Sequence, residues 1–254
     1  MAHVLLLAFD TATPAVTVAL HDGNRILAEH TEVDARRHGE LLAPGIRAVL
    51  EQSGRSRHEL TDVAVGVGPG PFTGLRVGLV TARALADALG VAVHGVCTLD
   101  ILAWAVRRGG HDGPFAVATD ARRKEVYWAK YAAPDRRVSD PAVDWPHVVA
   151  PEVAGMPVAG EGAVKYPDAF PAAIEPVLPS AADLAELAVH WLTAASVEAS
   201  AASAGAGDAA SGPEEMAGAV SVGVGLLSPT PLYLRRPDAV EPGARKPVSQ
   251  PAFR

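Results

Sequence analysis

The chain opens on an apolar run, VLLLAF at 4–9, that stops at Asp10. A membrane span needs about 20 apolar residues, so this short run reads as a buried strand. AVTVALH (15–21) and RILAEH (25–30) follow, with Asp22-Gly23 between them. That dipeptide is a strong hairpin signal, and the three runs predict an antiparallel unit. From 34 to 54 the period lengthens: Leu41, Leu42, Ile46, Val49 and Leu50 fall on one stripe of a helix. Gly54 is placed to end it, and Pro44 is expected to start a new turn or kink it. DVAVGVG (62–68) is strand-like again. Phe72 to Leu89 is the clearest helix, with Leu75, Leu79, Ala82, Ala86 and Leu89 in steps of four and three and Gly90 as its stop. VAVHGV (91–96) returns as a strand, so strand, helix and strand imply parallel pairing through a right-handed crossover.

The pattern then starts again. PFAVATD (114–120) is an apolar strand ending in an acid, and VYWAKYAA (126–133) is its expected hairpin partner. Asp10 and Asp120 therefore occupy equivalent points of two similar units. This predicts an α/β fold made of two copies of one subdomain with a cleft between them. The expected division is 1–110, 111–235 and a basic, proline-rich tail at 236–254. Within the second copy, PVAGEGA (157–163) reads as strand and turn. SAADLAELAVHWLTAA (180–195) reads as a helix capped by Ser180, with Leu184, Leu187, Ala188 and Trp191 on one face. The Ala/Ser/Gly stretch at 196–215 has too little to bury and is expected to be a flexible insertion. PTPLYLRRPDA (229–239) reads as a short extended segment.

Composition narrows the function. Hydrophobic residues are 49% of the 254, enough for a core, and the formal net charge of −7 argues against tight RNA binding by bulk electrostatics. The tail from Arg235 to Arg254 is locally basic and reads as a solvated segment. Cys97 is the only cysteine, which excludes an internal disulfide and a cysteine-rich metal site. No targeting or membrane segment is evident, so the cytoplasm is the expected location.

The chemistry-bearing motif is GVGPGPFTGLRVG at 66–78. It lacks the lysine of a Walker A loop and the spacing of a dinucleotide fingerprint. A glycine-rich turn entering a helix can hold an anion on backbone N–H groups, and it can equally be a tight turn with no ligand. If a nucleotide binds, Asp10, Gly68, Gly70, Thr73 and Asp120 are the residues expected to hold it, weakly. Gly74 and Gly78 lie four apart with Thr81, Leu85 and Ala88 continuing their face. Small residues at that spacing admit another helix, and the Leu41/Leu42/Ile46 stripe is the natural neighbour. None of the nine histidines forms a metal-ligand pair, and no nucleophile-elbow serine is present.

LAFDTATPAVTVAL, the long run VAVGVGPGPFTGLRVGLVTARALADALGVAVHGVCTLDILA, DARRKEVY and PLYLRRPDA together resemble the bacterial TsaB (YeaZ-like) family, in order and over nearly the whole chain. The resemblance implies a duplicated ribonuclease-H-like fold of the actin, sugar-kinase and heat-shock-ATPase type. It also implies a part in forming threonylcarbamoyladenosine in tRNA. In that family the transferase is a paralogue, TsaD, which carries a metal-binding H-x3-H motif where Thr98 and Leu102 stand here. A threonine and a leucine cannot make that imidazole site, so the resemblance implies a non-catalytic subunit with no metal and no required cofactor, ATP or ADP binding at most weakly. Its implied partners are a TsaD-like transferase and a TsaE-like ATPase, with a homodimer when alone and tRNA met only through the complex. The implied partner interface is the face bearing Leu42, Ile46, Gly74, Gly78, Leu79, Thr81, Ala82 and Leu85. The competing expectation is an ATP-dependent phosphotransferase of the same superfamily.

Overall fold

The structure is a computed structural model that describes residues 4–111, 113–205 and 225–234, with 198–205 as backbone only. β1 (Leu6–Asp10), β2 (Ala15–His21) and β3 (Ile26–Val33) form the expected antiparallel unit, and α1 (His38–Ser53) follows. β4 (Asp62–Gly68), α2 (Phe72–Leu89) and β5 (Ala92–Cys97) complete the first sheet, in the order β3-β2-β1-β4-β5. β1–β4 and β4–β5 are parallel pairs. α3 (Thr98–Val106) leads to the second half. There β6 (Phe115–Asp120), β7 (Val126–Ala133), β8 (Arg136–Arg137), β10 (Val158–Ala159) and β11 (Ala173–Ile174) form a sheet ordered β11-β10-β6-β7-β8, with β9 (Ala142–Asp144) beside β7. Short helices α4 (Pro146–Val149) and α5 (Glu161–Lys165) precede the long α6 (Ala181–Gly205).

The two sheets repeat one topology. In each, a central strand ending in Asp pairs antiparallel with the next strand and parallel with the one beyond the crossover. This is the duplicated ribonuclease-H-like α/β fold. The halves also exchange helices. α6 follows the second sheet in sequence, yet Leu184, Leu187 and Ala188 pack on Leu6, Ala8 and Val96 of the first. α3 follows the first sheet, yet Leu99, Leu102 and Val106 pack with Phe115 and Val117 of the second. A cut near residue 110 therefore separates the sheets and not the helices.

Three details differ from expectation. One helix continues through Pro44. Proline there removes the bond to the Glu40 carbonyl, and Glu40 and Pro44 are both exposed, so water can take that carbonyl. Gly160 leads into a short helix, α5, rather than a turn. α6 runs on to Gly205, so the first half of the supposed insertion at 196–215 is helical. Residues 206–215 and the tail at 236–254 lie outside the described residues. Ser180 caps α6 as expected, its Oγ accepting the Asp183 N–H at 3.0 Å. Gly54 and Gly90 end α1 and α2 in the left-handed conformation.

Candidate functional site

Asp10 ends β1 at the centre of the first sheet and is fully buried. Its Oδ1 accepts the Ala12 N–H at 2.7 Å and its Oδ2 accepts the Thr98 hydroxyl at 2.7 Å. Burial pushes the carboxyl up from its ordinary range, against the pull of those two bonds. Gly66 faces it from β4. A Cβ there would lie 1.7 Å from Oδ2, so glycine is what admits the carboxylate.

The glycine-rich turn faces the same loop. Gly68 has φ +95°, in the region glycine favours. A Cβ on Gly70 would meet the Ala12 carbonyl oxygen at 2.2 Å, one on Gly74 the Thr11 carbonyl oxygen at 2.3 Å, and one on Gly78 the Thr11 hydroxyl at 2.6 Å. Thr11 Oγ1 donates to the Gly74 carbonyl at 2.8 Å. His38 Nε2 lies 2.8 Å from the Thr13 carbonyl oxygen; a carbonyl only accepts, so that nitrogen carries the proton. The room the glycines open is thus taken by Thr11 and Ala12 of the chain itself. Beyond them is a cavity of about 180 Å³, lined by Thr13, His38 and Thr73 and, from the second half, Arg122.

Asp120 is held by different partners. Its Oδ2 accepts from Lys165 Nζ at 2.8 Å and its Oδ1 from the Arg122 N–H at 3.2 Å. Asp100 is buried in a network. Tyr131 Oη donates to its Oδ1 at 2.7 Å, and Arg137 Nη1 reaches both oxygens at 2.8 and 2.9 Å. That network ties α3 to β7 and β8. The buried Cys97 thiol beside it is pushed up to about 12 by desolvation and by Asp100.

The donor set does not fit a metal–nucleotide centre. Both oxygens of Asp10 are engaged inside the fold, and Asp100 is paired with Arg137. Thr98 bonds Asp10, and Leu102 is a core residue. Among the described residues no three His, Cys, Asp or Glu side chains gather as metal ligands.

The expected docking face is also reoriented. Leu42, Ile46, Leu79 and Ala82 belong to the core beneath α1 and α2, and Gly74 and Gly78 back onto Thr11. Only Thr81 and Leu85 of that set are partly exposed. The reason is geometric: the glycine stripe adjoins the apolar stripe, so both turn inward, towards the sheet and the 11–13 loop. What α2 presents outward is Phe72, Arg76 and Val80, with Val80 64% exposed. Arg76 lies over the Phe72 ring, which also stacks on Tyr233 at 5.2 Å. Sequence patterning missed Thr11 and Thr13, and it gave His38, at the helix start, only a structural or exposed place. The short hydroxyls of DTAT signal bonds back to backbone, but not to which backbone.

Comparison with known proteins places this geometry. The family model described as TsaD, tRNA N6-adenosine threonylcarbamoyltransferase, matches residues 25–239. An uncharacterized protein of Mycobacterium tuberculosis is 44% identical over 191 residues, 73% of this chain and 85% of that protein. The tRNA threonylcarbamoyladenosine biosynthesis protein TsaB of Escherichia coli is 39% identical over 126 residues, 50% of this chain and 54% of that protein. The solved structure of YeaZ from Pseudomonas aeruginosa aligns with TM-score 0.67 at 35% identity, covering 76% of this chain and 94% of YeaZ. Among the described residues no helix is long and apolar enough to cross a membrane. With residues 25–239 of the chain matched by the family model and YeaZ aligned almost end to end, the chain belongs to the TsaB (YeaZ-like) branch of the threonylcarbamoyltransferase family.

Proposed function

We propose that this protein is a non-catalytic subunit of the complex that forms threonylcarbamoyladenosine in tRNA, binding a TsaD-like transferase and helping to recruit a TsaE-like ATPase. The observation that carries the reading is the filled turn. Thr11 and Ala12 occupy the space beside Gly70, Gly74 and Gly78, and Asp10 spends both oxygens on Ala12 and Thr98. A fold whose phosphate turn is closed by its own chain is suited to present a rigid surface rather than to turn over a nucleotide. No cofactor is assigned to it. The surface we assign to the partner is the outer side of α2 with the adjoining exposed side of α1. Val80 and Phe72 there are apolar and accessible, and Arg76 and Arg83 border them.

The test is reconstitution of tRNA modification from a TsaD-like transferase, a TsaE-like ATPase and the enzyme that makes the threonylcarbamoyl adenylate, with and without this chain. Modification should depend on it, and equal modification without it overturns the reading. Calorimetry of the isolated chain with ATP and Mg²⁺ separates it from a phosphotransferase, for which tight binding with turnover is required.

A further inference from the structure

A second cavity, of about 740 Å³, lies in the second half, remote in sequence from the glycine-rich turn. Three elements build its wall: the β6–β7 turn with Arg123 and Lys124, the start of α4 with Trp145 and His147, and the end of α5 with Lys165 and Tyr166. Trp145 is 52% exposed, unusual for the largest side chain in a soluble fold, and His147 stacks beside it at 5.7 Å. Trp128 Nε1 donates to Asp144 Oδ2 at 3.1 Å, which anchors the residue just before Trp145. Arg123, Lys124 and Lys165 line the cavity beside the carboxylate of Asp168, and Lys165 is also paired with Asp120 at 2.8 Å.

The turn carrying two of those cations is strained. Arg122, Arg123 and Lys124 have φ of 63°, 51° and 65°, in the left-handed region where side chains rarely sit. The Glu125 N–H bonds the Arg122 carbonyl at 2.9 Å, closing a hairpin turn whose two central residues are Arg123 and Lys124. Turns of this hand ordinarily carry Asn-Gly there. Two long cationic side chains stand here at positions that favour Asn and Gly, and both are exposed. Strain of this kind gathers at ligand-binding sites.

We infer that this cavity binds a nucleotide unit, its base stacked on Trp145 and its phosphate held by the Arg123–Lys124 turn. An exposed indole supplies a face on which any base can stack, and adjacent cations supply the charge its phosphate needs. The inference stands on the cavity alone and not on the proposed partner complex. Its source is either a free mononucleotide or one residue of a single-stranded RNA.

The test is titration of the full chain with AMP, adenosine, inorganic phosphate and a short single-stranded oligoribonucleotide, read by calorimetry. AMP or the oligonucleotide should bind saturably, with adenosine and phosphate each at least tenfold weaker. Saturation by AMP identifies a free nucleotide, and binding by the oligonucleotide alone identifies an RNA strand. Trp145→Ala should weaken binding about tenfold. Lys124→Gly is the sharper variant: it should raise the melting temperature by relieving the turn while weakening binding. Absence of binding by both AMP and the oligonucleotide overturns the inference. So does binding that phosphate alone reproduces, or that neither variant changes.

Discussion

Thr98 donates its hydroxyl to Oδ2 of Asp10 across 88 residues of sequence, joining the start of α3 to the end of β1. The bond uses one oxygen of a fully buried carboxylate, and the Ala12 N–H uses the other. Asp10 therefore acts as a brace for the 11–13 loop, and that role predicts how the protein responds to its loss.

Asp10→Asn keeps an oxygen for the Ala12 N–H and offers an amide to Thr98, while removing the buried charge. Burial raises the folded-state pKa of Asp10. A raised carboxyl costs nothing while protonated in both states and penalises folding progressively as pH climbs through the folded value. The variant should thus match the parent in acid and become progressively more stable than the parent as pH rises. Thermal melts across that range give the answer, and a variant that loses ground with rising pH would contradict the brace.

Gly70→Ala places a Cβ 2.2 Å from the Ala12 carbonyl oxygen, a backbone atom that cannot swing away. The expected loss is about 2–3 kcal/mol, as for overpacking in a tight core. Gly39→Ala on α1 is the control: only Val77 lies within reach, at 4.0 Å. It should be neutral or stabilising by a few tenths of a kcal/mol, given alanine's better helix propensity. Denaturant midpoints distinguish the two.

Arg137→Ala leaves the buried Asp100 carboxylate without its cation. Breaking one side of such a pair costs about 3–5 kcal/mol. Since the pair joins α3 to the second sheet, loosening should be visible by hydrogen exchange in α3 as well as β7. Replacing Asp100 by Leu together with Arg137→Met and Tyr131→Phe should recover most of the loss, because both charges and the hydroxyl that bonds Asp100 are removed together.

Val80→Arg tests the proposed partner surface with the core untouched, because Val80 is largely exposed and has no role in the packing beneath α2. The monomer's melting temperature should hold while co-purification with a TsaD-like transferase falls at least tenfold. Gly78→Arg cannot serve, since its side chain would strike Thr11 and the chain would misfold before any partner was tested. Retained co-purification of the Val80 variant rejects the surface.

The duplication was legible because period and punctuation are local. An apolar run ending in Asp and then a hairpin occurs twice, and the orders β3-β2-β1-β4-β5 and β11-β10-β6-β7-β8 bear it out. The bounds of β4, α2 and β7 follow from the same signals. Helical periodicity also located the stripe of Gly74 and Gly78. It could not tell which side of α2 that stripe faces, because a surface of small residues suits a partner's helix and the chain's own loop equally well.

Sequence by itself determined the repeated elements, their ends and the absence of a lysine and a histidine pair from the positions that phosphate and metal chemistry need. Tertiary structure decided what the glycines are for. Ala12 and Thr11 come from a loop about 60 residues away, and only their position, 2.2–2.6 Å from where a Cβ on Gly70, Gly74 or Gly78 would stand, shows that the turn is filled from within. It likewise decided that α6 returns to the first sheet and that Trp145, Lys124 and Tyr166 share one cavity. Propensity and period act over a few residues, whereas these contacts depend on where closed loops bring distant side chains together.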